Sequence, residues 1–411
     1  MYTDIYDGNV WRTFFDQVEN GPFFADEKLA YHIGLAISLD WFQPYSNSQY
    51  SIDAIYGAIC NLPKEDRFKP HNMLILGILP GPNEVKLHYI NNYLAPIVDE
   101  LIELWKGIEI STTFERPNGR KIRGALILCS CDIPAARKLM GHAGPGNKCH
   151  HCLKKAIWDT RLNKSHYGGF QNMDNWFHDA DQTKHREAAE GWKRCTNEAE
   201  RIRHVKHTGV RWSELLRLPY LDPIRFLVVD PMHNLFLGIV KTVVKDLWIK
   251  NNIISKTQLI SIQHHMDKIR PPSDIGRLPR KVALGEKGFS SFKADEWKTF
   301  ILVYATTCLW NFLDFNDRTI LVNLVTACRL LVTQILKKSD LEKAQECLLT
   351  LAKTIESKYE AHSITPNLHL SLHIKQCCED YGPLYAFWCY SYERMNGLLG
   401  KKASKIINCN N

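Results

Sequence analysis

Residues 31–40, YHIGLAISLD, and residues 123–132, RGALILCSCD, decide the fold. Each is an apolar run of the kind that forms a strand buried on both faces, and each leads straight to an aspartate, Asp40 or Asp132. Working outward from the first, Tyr50 to Cys60 is a second apolar run, separated from it by Pro44 and a Ser/Asn-rich turn. The spacing predicts a hairpin. A third run, Asn72 to Leu79, stops at the breaker Pro80-Gly81-Pro82. From Val85 to Lys106 the period becomes helical, with Leu87, Ile90, Leu94, Ile97, Val98, Leu101, Leu104 and Trp105 on one stripe. The Arg123 to Cys131 run then supplies a fourth strand, and Pro134 to Met140 a short helix. Three strands, a helix and a further strand predict an α/β chain with a mixed sheet flanked by helices.

Beyond residue 152 the pattern changes. Residues 153–365 are expected to be mainly helical, with a Pro- and Arg-rich loop from Arg270 to Lys281 and long helices over Thr319 to Leu336 and Asp340 to Tyr359. From Pro366 the chain gives an amphipathic helix to about Cys378, a turn at Tyr381 to Pro383, and a last helix around Tyr392 to Lys402. Three segments follow: 1–152, 153–365 and 366–411.

The balance of 45% hydrophobic and 23% charged residues over 411 positions is that of a folded globular chain and excludes a disordered or collagen-like one. The greasiest stretch, Phe226 to Ile249, is interrupted by Asp230, His233, Lys241, Lys245 and Asp246, so no membrane span is expected. The first residues lack the basic and apolar regions of a secretory leader, and most of the 13 cysteines sit in apolar runs as reduced core thiols would. Cytosol or nucleus is expected. A formal charge of +8 permits a polyanionic partner.

Asp40 and Asp132, at the carboxyl ends of two strands, stand where ligands gather in α/β folds. Two readings remain open for them. Each caps the turn or helix that follows, or the two begin a site for Mg²⁺ or Mn²⁺, which needs several ionised carboxylates because hard cations take oxygen ligands. The second reading requires a third acid. Cys149-His150-His151-Cys152 has the spacing by which two thiolates hold Zn²⁺, and His369 and His373, at i and i+4, are the second pair that would complete such a site. Three basic clusters could follow a phosphate backbone: Arg116, Arg120, Lys121 and Arg123; Lys184 to Lys206; and Arg270, Arg277, Arg280 and Lys281. The middle one mixes seven Lys/Arg with four Glu and reads as an ordinary charged helix surface. Phosphate loops of Walker or Rossmann spacing and a Gly-x-Ser-x-Gly elbow are absent.

The order of motifs resembles the transposases of CACTA (En/Spm-type) DNA transposons: LDWFQPY around Asp40, NLPKEDRF at Asn61, ILGILPGPNEVK at Ile75, LAPIVDELIELWKG at Leu94, CDIPAARKLMGH around Asp132, CHHC at Cys149, DPMHNLFLGI at Asp230 and YERMNG around Glu393. The resemblance implies an RNase H-like core with a large mainly helical insertion before the last catalytic helix, and it supplies the third acid, Glu393. Asp40, Asp132 and Glu393 would then hold two Mg²⁺ or Mn²⁺ ions in a DDE-type DNA transposase. Such an enzyme hydrolyses a phosphodiester to free a 3′-OH and transfers that strand to target DNA. One structural Zn²⁺ on Cys149, Cys152, His369 and His373, with His233 as a rival ligand, follows from the same resemblance. Asp230 is expected to cap the helix near Met232 or hold the insertion to the core. Double-stranded DNA as partner, contacted by Arg116, Arg120, Lys121, Arg277, Arg280 and Lys281, a homo-oligomer on DNA, and a nuclear location complete the implied picture. The alternative is a decayed or domesticated derivative that binds DNA or protein without catalysis. The intact triad favours the enzyme; Trp41, where the family usually has Gly, and the absence of the family's extra terminal segments favour the derivative.

Overall fold

The computed structural model describes all residues except 45–49, 86–88, 115, 145, 153, 175, 178–179, 273–274 and 410–411, and the side chains of 402–409. Leu87 of the predicted stripe, the 45–49 part of the predicted turn and Pro145 lie outside the described residues.

The predicted hairpin forms from β1 (His32–Phe42) and β2 (Ile52–Ile59), paired antiparallel from Leu35↔Ile59 to Phe42↔Ile52. β3 (Leu74–Leu79) pairs antiparallel with β2 and ends where the Pro-Gly-Pro breaker begins. Helix α1 (Ile90–Lys106) buries Ile90, Leu94, Val98, Leu101 and Trp105, an i, i+4, i+8 stripe that lays one face on the sheet. After α1 the short strand β4 (Ile108–Ile110) turns back along β5 (Arg120–Cys129), and β5 joins β1 in parallel. The sheet order is β3-β2-β1-β5-β4, a curled mixed sheet with its two longest strands at the centre. Ala125 to Cys129 on β5 and Ala36, Ile37 and Leu39 on β1 are fully buried, which accounts for the continuous apolar runs that mark them in the sequence.

Two boundaries differ from expectation. β1 continues two residues past Asp40, which is paired with Ala54 inside the ladder. β5 ends at Cys129, so Asp132 follows a short gap and opens α2 (Ile133–Leu139). Arg123, counted among the exposed cations, is buried in β5, where it forms an ion pair with buried Asp16 and donates Nε to Trp105 O at 2.9 Å. A guanidinium so enclosed is a core strut and has no reach to a ligand in solvent.

The middle segment is mainly helical, with one small hairpin of β6 (Ile157–Asp159) and β7 (Lys164–His166), then α3 (Gln182–Lys193) and α4 (Glu198–Thr208). Within this segment the chain also returns to the sheet. Cys129 N donates to Phe226 O (2.7 Å) and Val228 N donates to Cys129 O (3.1 Å), a parallel bridge alongside the end of β5. Only pairing across about a hundred residues reveals it, since Phe226 to Ile249 reads as one greasy run.

Two consecutive helices with π-type winding follow, α5 (Met232–Val240) and α6 (Thr242–Ile249). α7 (Phe315–Leu331) and α8 (Lys338–Tyr359) pack together as the long helical pair. The helix expected from Pro366 to Cys378 is instead α9 (Pro366–Leu370), a tight 3₁₀ turn at Ser371–His373, and α10 (Ile374–Tyr381). The last helix, α11, runs Tyr390–Cys409. Among the described residues no helix is long and apolar enough to cross a membrane.

Candidate functional site: a carboxylate cluster and a Cys/His knot

Asp40 lies near the end of β1 and Asp132 begins the helix after β5, so parallel pairing of these two strands delivers both acids to one end of the sheet. Asp132 does cap its helix, accepting from Ala135 N at 2.8 Å. Capping occupies Oδ1 alone, and the charge of Asp132 still acts on Asp40. Glu393 arrives from α11, acting on Asp40 through its charge and through a side-chain hydrogen bond. Asp40 is pushed up to about 8, first by burial and then by Glu393, with Asp132 adding to the rise and His233 opposing it. The charges of Asp132 and Glu393 thus both reach Asp40, although among the described residues the three acids do not form a group with all donor atoms within 4.8 Å of one another.

Sequence reasoning missed part of the surroundings. Asn396, one turn beyond Glu393 on α11, donates Nδ2 to Asp40 Oδ2 and accepts from Tyr56 OH with Oδ1, so it braces the first acid against the last helix. The i+3 spacing from Glu393 was the available signal. Asp53, on β2 opposite Trp41, is buried with Oδ2 lacking a partner among the described residues; burial, opposed by Lys138 and helped by Asp132, raises it to about 6.

Asp230 and His233 sit at the same site. Asp230 Oδ2 accepts from His233 N (2.9 Å) and Nδ1 (2.7 Å), which caps α5, and its Oδ1 accepts from Cys389 N (2.8 Å), which ties the start of α5 to the chain just before α11. Both roles expected of Asp230 are therefore present at once. His233 Nε2 stands 3.8 Å from Glu393 Oε1. Burial works to lower the imidazole, yet the Asp230 hydrogen bond and the charges of Asp230, Asp132 and Asp40 override it and lift it to about 9.

The second group is separate. Cys149 and Cys152 meet His369 and His373, with all four donor atoms within 4.8 Å of one another and all four residues buried. Cys149 Sγ lies 3.6 Å from His373 Nε2 and Cys152 Sγ 3.3 Å from His369 Nε2. A tetrahedral ion with S at about 2.3 Å and N at about 2.0–2.1 Å would set such S···N edges near 3.5 Å, so the donor set and its spacing fit zinc. His369 and His373 straddle the change from α9 to the 3₁₀ turn, and both present Nε2 to the cysteines even though no single regular helix carries them. Burial would raise the Cys149 thiol, but hydrogen bonds from Cys152, His369 and His373 and the His373 charge hold it well below its ordinary value. His233 is grouped with Asp230 and Cys389 instead of with these ligands.

Of the six cations named for DNA, Arg116, Lys121, Arg277, Arg280 and Lys281 are exposed, and Arg120 is half-buried with its guanidinium 3.6 Å from the Tyr31 ring centroid. In the middle basic stretch Arg186 turns inward and donates to the carbonyls of Leu216, Leu218 and Leu221.

The chain is thus a mixed α/β protein with a buried Cys/His group whose donor atoms are spaced as a zinc site would need. Over residues 3–204 it matches the family model for "Transposase family tnp2", a match that supports a transposase acting on DNA with nuclease-type chemistry. Asp40, Asp132, Cys149 and Cys152 lie within the matched residues; His369, His373 and Glu393 lie beyond them. No curated protein matches the chain.

Proposed function

We propose that the chain is a DDE-type DNA transposase of the CACTA kind, built on an RNase H-like core. The observation that supports this reading is that Asp40, near the end of β1, feels the charges of both Asp132, beyond the end of the parallel strand β5, and Glu393, on the C-terminal helix. The sheet order supports it: an antiparallel three-strand meander, a crossover helix, then a strand parallel to the first is the arrangement expected of that core. On this reading 1–152 carries the core strands, 153–365 the mainly helical insertion and 366–411 the helices that complete the core.

The residues fit a pair of Mg²⁺ or Mn²⁺ ions. Three acids share a site whose nearest cation is His233, and burial with mutual repulsion leaves Asp40 reluctant to ionise, the condition a bound cation relieves. Two such ions would stabilise charge on the attacking and leaving oxygens of an in-line displacement at phosphorus. The chain's own groups set the geometry. Asp40, Asp132 and Glu393 offer carboxylate oxygens, Asn396 fixes the rotation of Asp40, and Asp230 fixes the approach of α11 through Cys389 N. Nothing in the displacement requires a covalent protein intermediate. The proposed substrate is double-stranded DNA, first at a transposon end and then at a target, bound by a homo-oligomer in the nucleus with Arg116, Arg120, Lys121, Arg277, Arg280 and Lys281 on its backbone.

The test is Mn²⁺-dependent nicking of a supercoiled plasmid. Glu393→Gln keeps the size and hydrogen-bonding capacity of an exposed side chain while removing its charge, so nicking should fall by at least a hundredfold with an unchanged circular-dichroism spectrum. Equal nicking by both proteins would remove Glu393 from the site. Duplex binding without nicking by the wild type would favour the domesticated derivative.

A further inference from the structure

The hairpin of β4 and β5 ends in an apex whose described residues, 111–114 and 116–119, are held by bonds of their own. Thr113 N donates to Arg116 O (2.9 Å), Arg116 N donates back to Thr113 Oγ1 (3.0 Å), and Gly119 N donates to the same Arg116 carbonyl (2.9 Å). Gly119 sits at φ 76°, where a Cβ would strike the carbonyl oxygens of Ile110 and Ser111, so the turn requires glycine. On this fixed apex the Phe114 side chain is fully exposed. A phenylalanine so placed forgoes the burial that ordinarily stabilises the residue type.

Three cations stand near it, with Glu115 between Phe114 and Arg116 in the sequence. Arg116 and Lys121 are exposed, and Arg120 lies between them and the sheet, stacked on Tyr31. Glu109, across the ladder from Lys121, is the acid on the paired strand. Apolar wedges flanked by Arg and Lys are the means by which proteins part a base step while the cations hold the adjacent phosphates. An apolar protein partner would have no use for that ring of cations.

We propose that the apex of this hairpin is a wedge for duplex DNA, in which Phe114 enters a base step and Arg116, Arg120 and Lys121 hold the flanking phosphates. The inference rests on the reading of the chain as a DNA-acting transposase and adds to it a place and a mode of contact. β5 leads from the apex side at Arg120 to Cys129, three residues before Asp132, and its ten residues at about 3.3 Å each span roughly 30 Å. One turn of B-DNA is about 34 Å, so a duplex lying along β5 would meet the wedge about one turn from the carboxylates.

The experiment uses the full chain, end-labelled duplexes of about 40 base pairs, and a stepped series of single 2-aminopurines, read by anisotropy over a range of salt and by 2-aminopurine fluorescence. Phe114→Ala should weaken binding about tenfold, within the range of one lost stacking contact, while leaving the salt slope unchanged. The double variant Arg116→Ala/Lys121→Ala should flatten the slope of log K against log salt by about 2. 2-Aminopurine at one step should brighten with the wild type and stay dark with Phe114→Ala. Circular dichroism checks that both variants fold, which the exposure of all three side chains leads us to expect.

Wild-type binding with every variant equal to it would overturn the wedge and leave the DNA-acting reading standing. A wild type that binds no duplex would overturn both. Loss of self-association in Phe114→Ala with duplex affinity intact would assign the apex to a protein contact and also overturn the proposal.

Discussion

Asp40 and Asp53 lie one strand apart and carry the same physical problem at different strength. Both have carboxyl groups raised above the ordinary range mainly by burial, Asp40 to about 8 and Asp53 to about 6. A carboxyl whose folded pKa lies above its unfolded one is favoured by folding in its protonated form. Its contribution is complete below about pH 4 and is lost as pH rises through the folded value. For the metal-free chain, stability should therefore decline between pH 4 and 6 through Asp53 and Asp40 together and decline further towards pH 8 through Asp40. Thermal unfolding at a series of pH values checks this, and added Mn²⁺ should flatten the upper part of the curve because cation binding favours ionised Asp40. Asp53→Asn should roughly halve the slope between pH 4 and 6, leaving the part due to Asp40, and raise the midpoint at pH 7, since an uncharged isostere no longer carries a buried charge; an unchanged pH profile would place Asp53 in a wetter environment than the structure gives it.

At the scale of elements, the strands and α1 were legible because each carries its own signal. Apolar runs with turn punctuation set β1, β2, β3 and β5, and the stripe from Ile90 to Trp105 set α1. What escaped has no local signature. The bridge of Phe226 and Val228 to Cys129 is defined by a partner a hundred residues away, and the π-type winding of α5 and α6 leaves the same apolar composition as an α-helix. Arg123 looked like its neighbours Arg120 and Lys121, but from residue 123 onward β5 is buried on both faces and the ion pair with Asp16 holds it inside. The acids and the Cys/His pairs were legible as residues, the resemblance to a family linked them, and the role of Asp230 was expected, but the bracing of Asp40 by Asn396 and Tyr56 depends on contacts between distant parts of the chain. The Cys/His knot joins the loop after α2 to the α9–α10 junction, so its energetic effect belongs to those elements. We expect one zinc per chain by metal analysis, and Cys149→Ser with His369→Ala should abolish it and lower the thermal midpoint by several degrees or more, because two buried ligands lose their ion. Zinc retained by that double variant would assign the metal elsewhere.

Across the whole molecule, the carboxylate cluster depends on contacts of extreme sequence separation. Asp40 and Asp132 are 92 positions apart and Asp132 and Glu393 are 261 apart, counted from their residue numbers. The Cys/His group likewise closes a span from Cys149 to His373, and Asp230 bonds to Cys389 N. A fold of this kind is slow to complete, since loop closure precedes the contacts that reward it. Zinc should therefore act on assembly as well as on the final state. Refolding from denaturant with a zinc chelator present should give a lower yield of nicking-competent protein than refolding with zinc, at equal Mn²⁺. Equal yields would confine the metal to a local role.

The position of α11 has a further consequence during synthesis. Chains emerge from the ribosome N-terminus first, at roughly 5–20 residues per second, so the sheet bearing Asp40 and Asp132 is exposed to the cell well before Glu393, Asn396 and the segment anchored by Asp230 exist. A message cut short or a ribosome stalled between positions 132 and 393 yields a product with two acids and no third. On the proposed reading, the chemistry of the three acids is withheld from every product that stops before Glu393, with no inhibitor needed to restrain it.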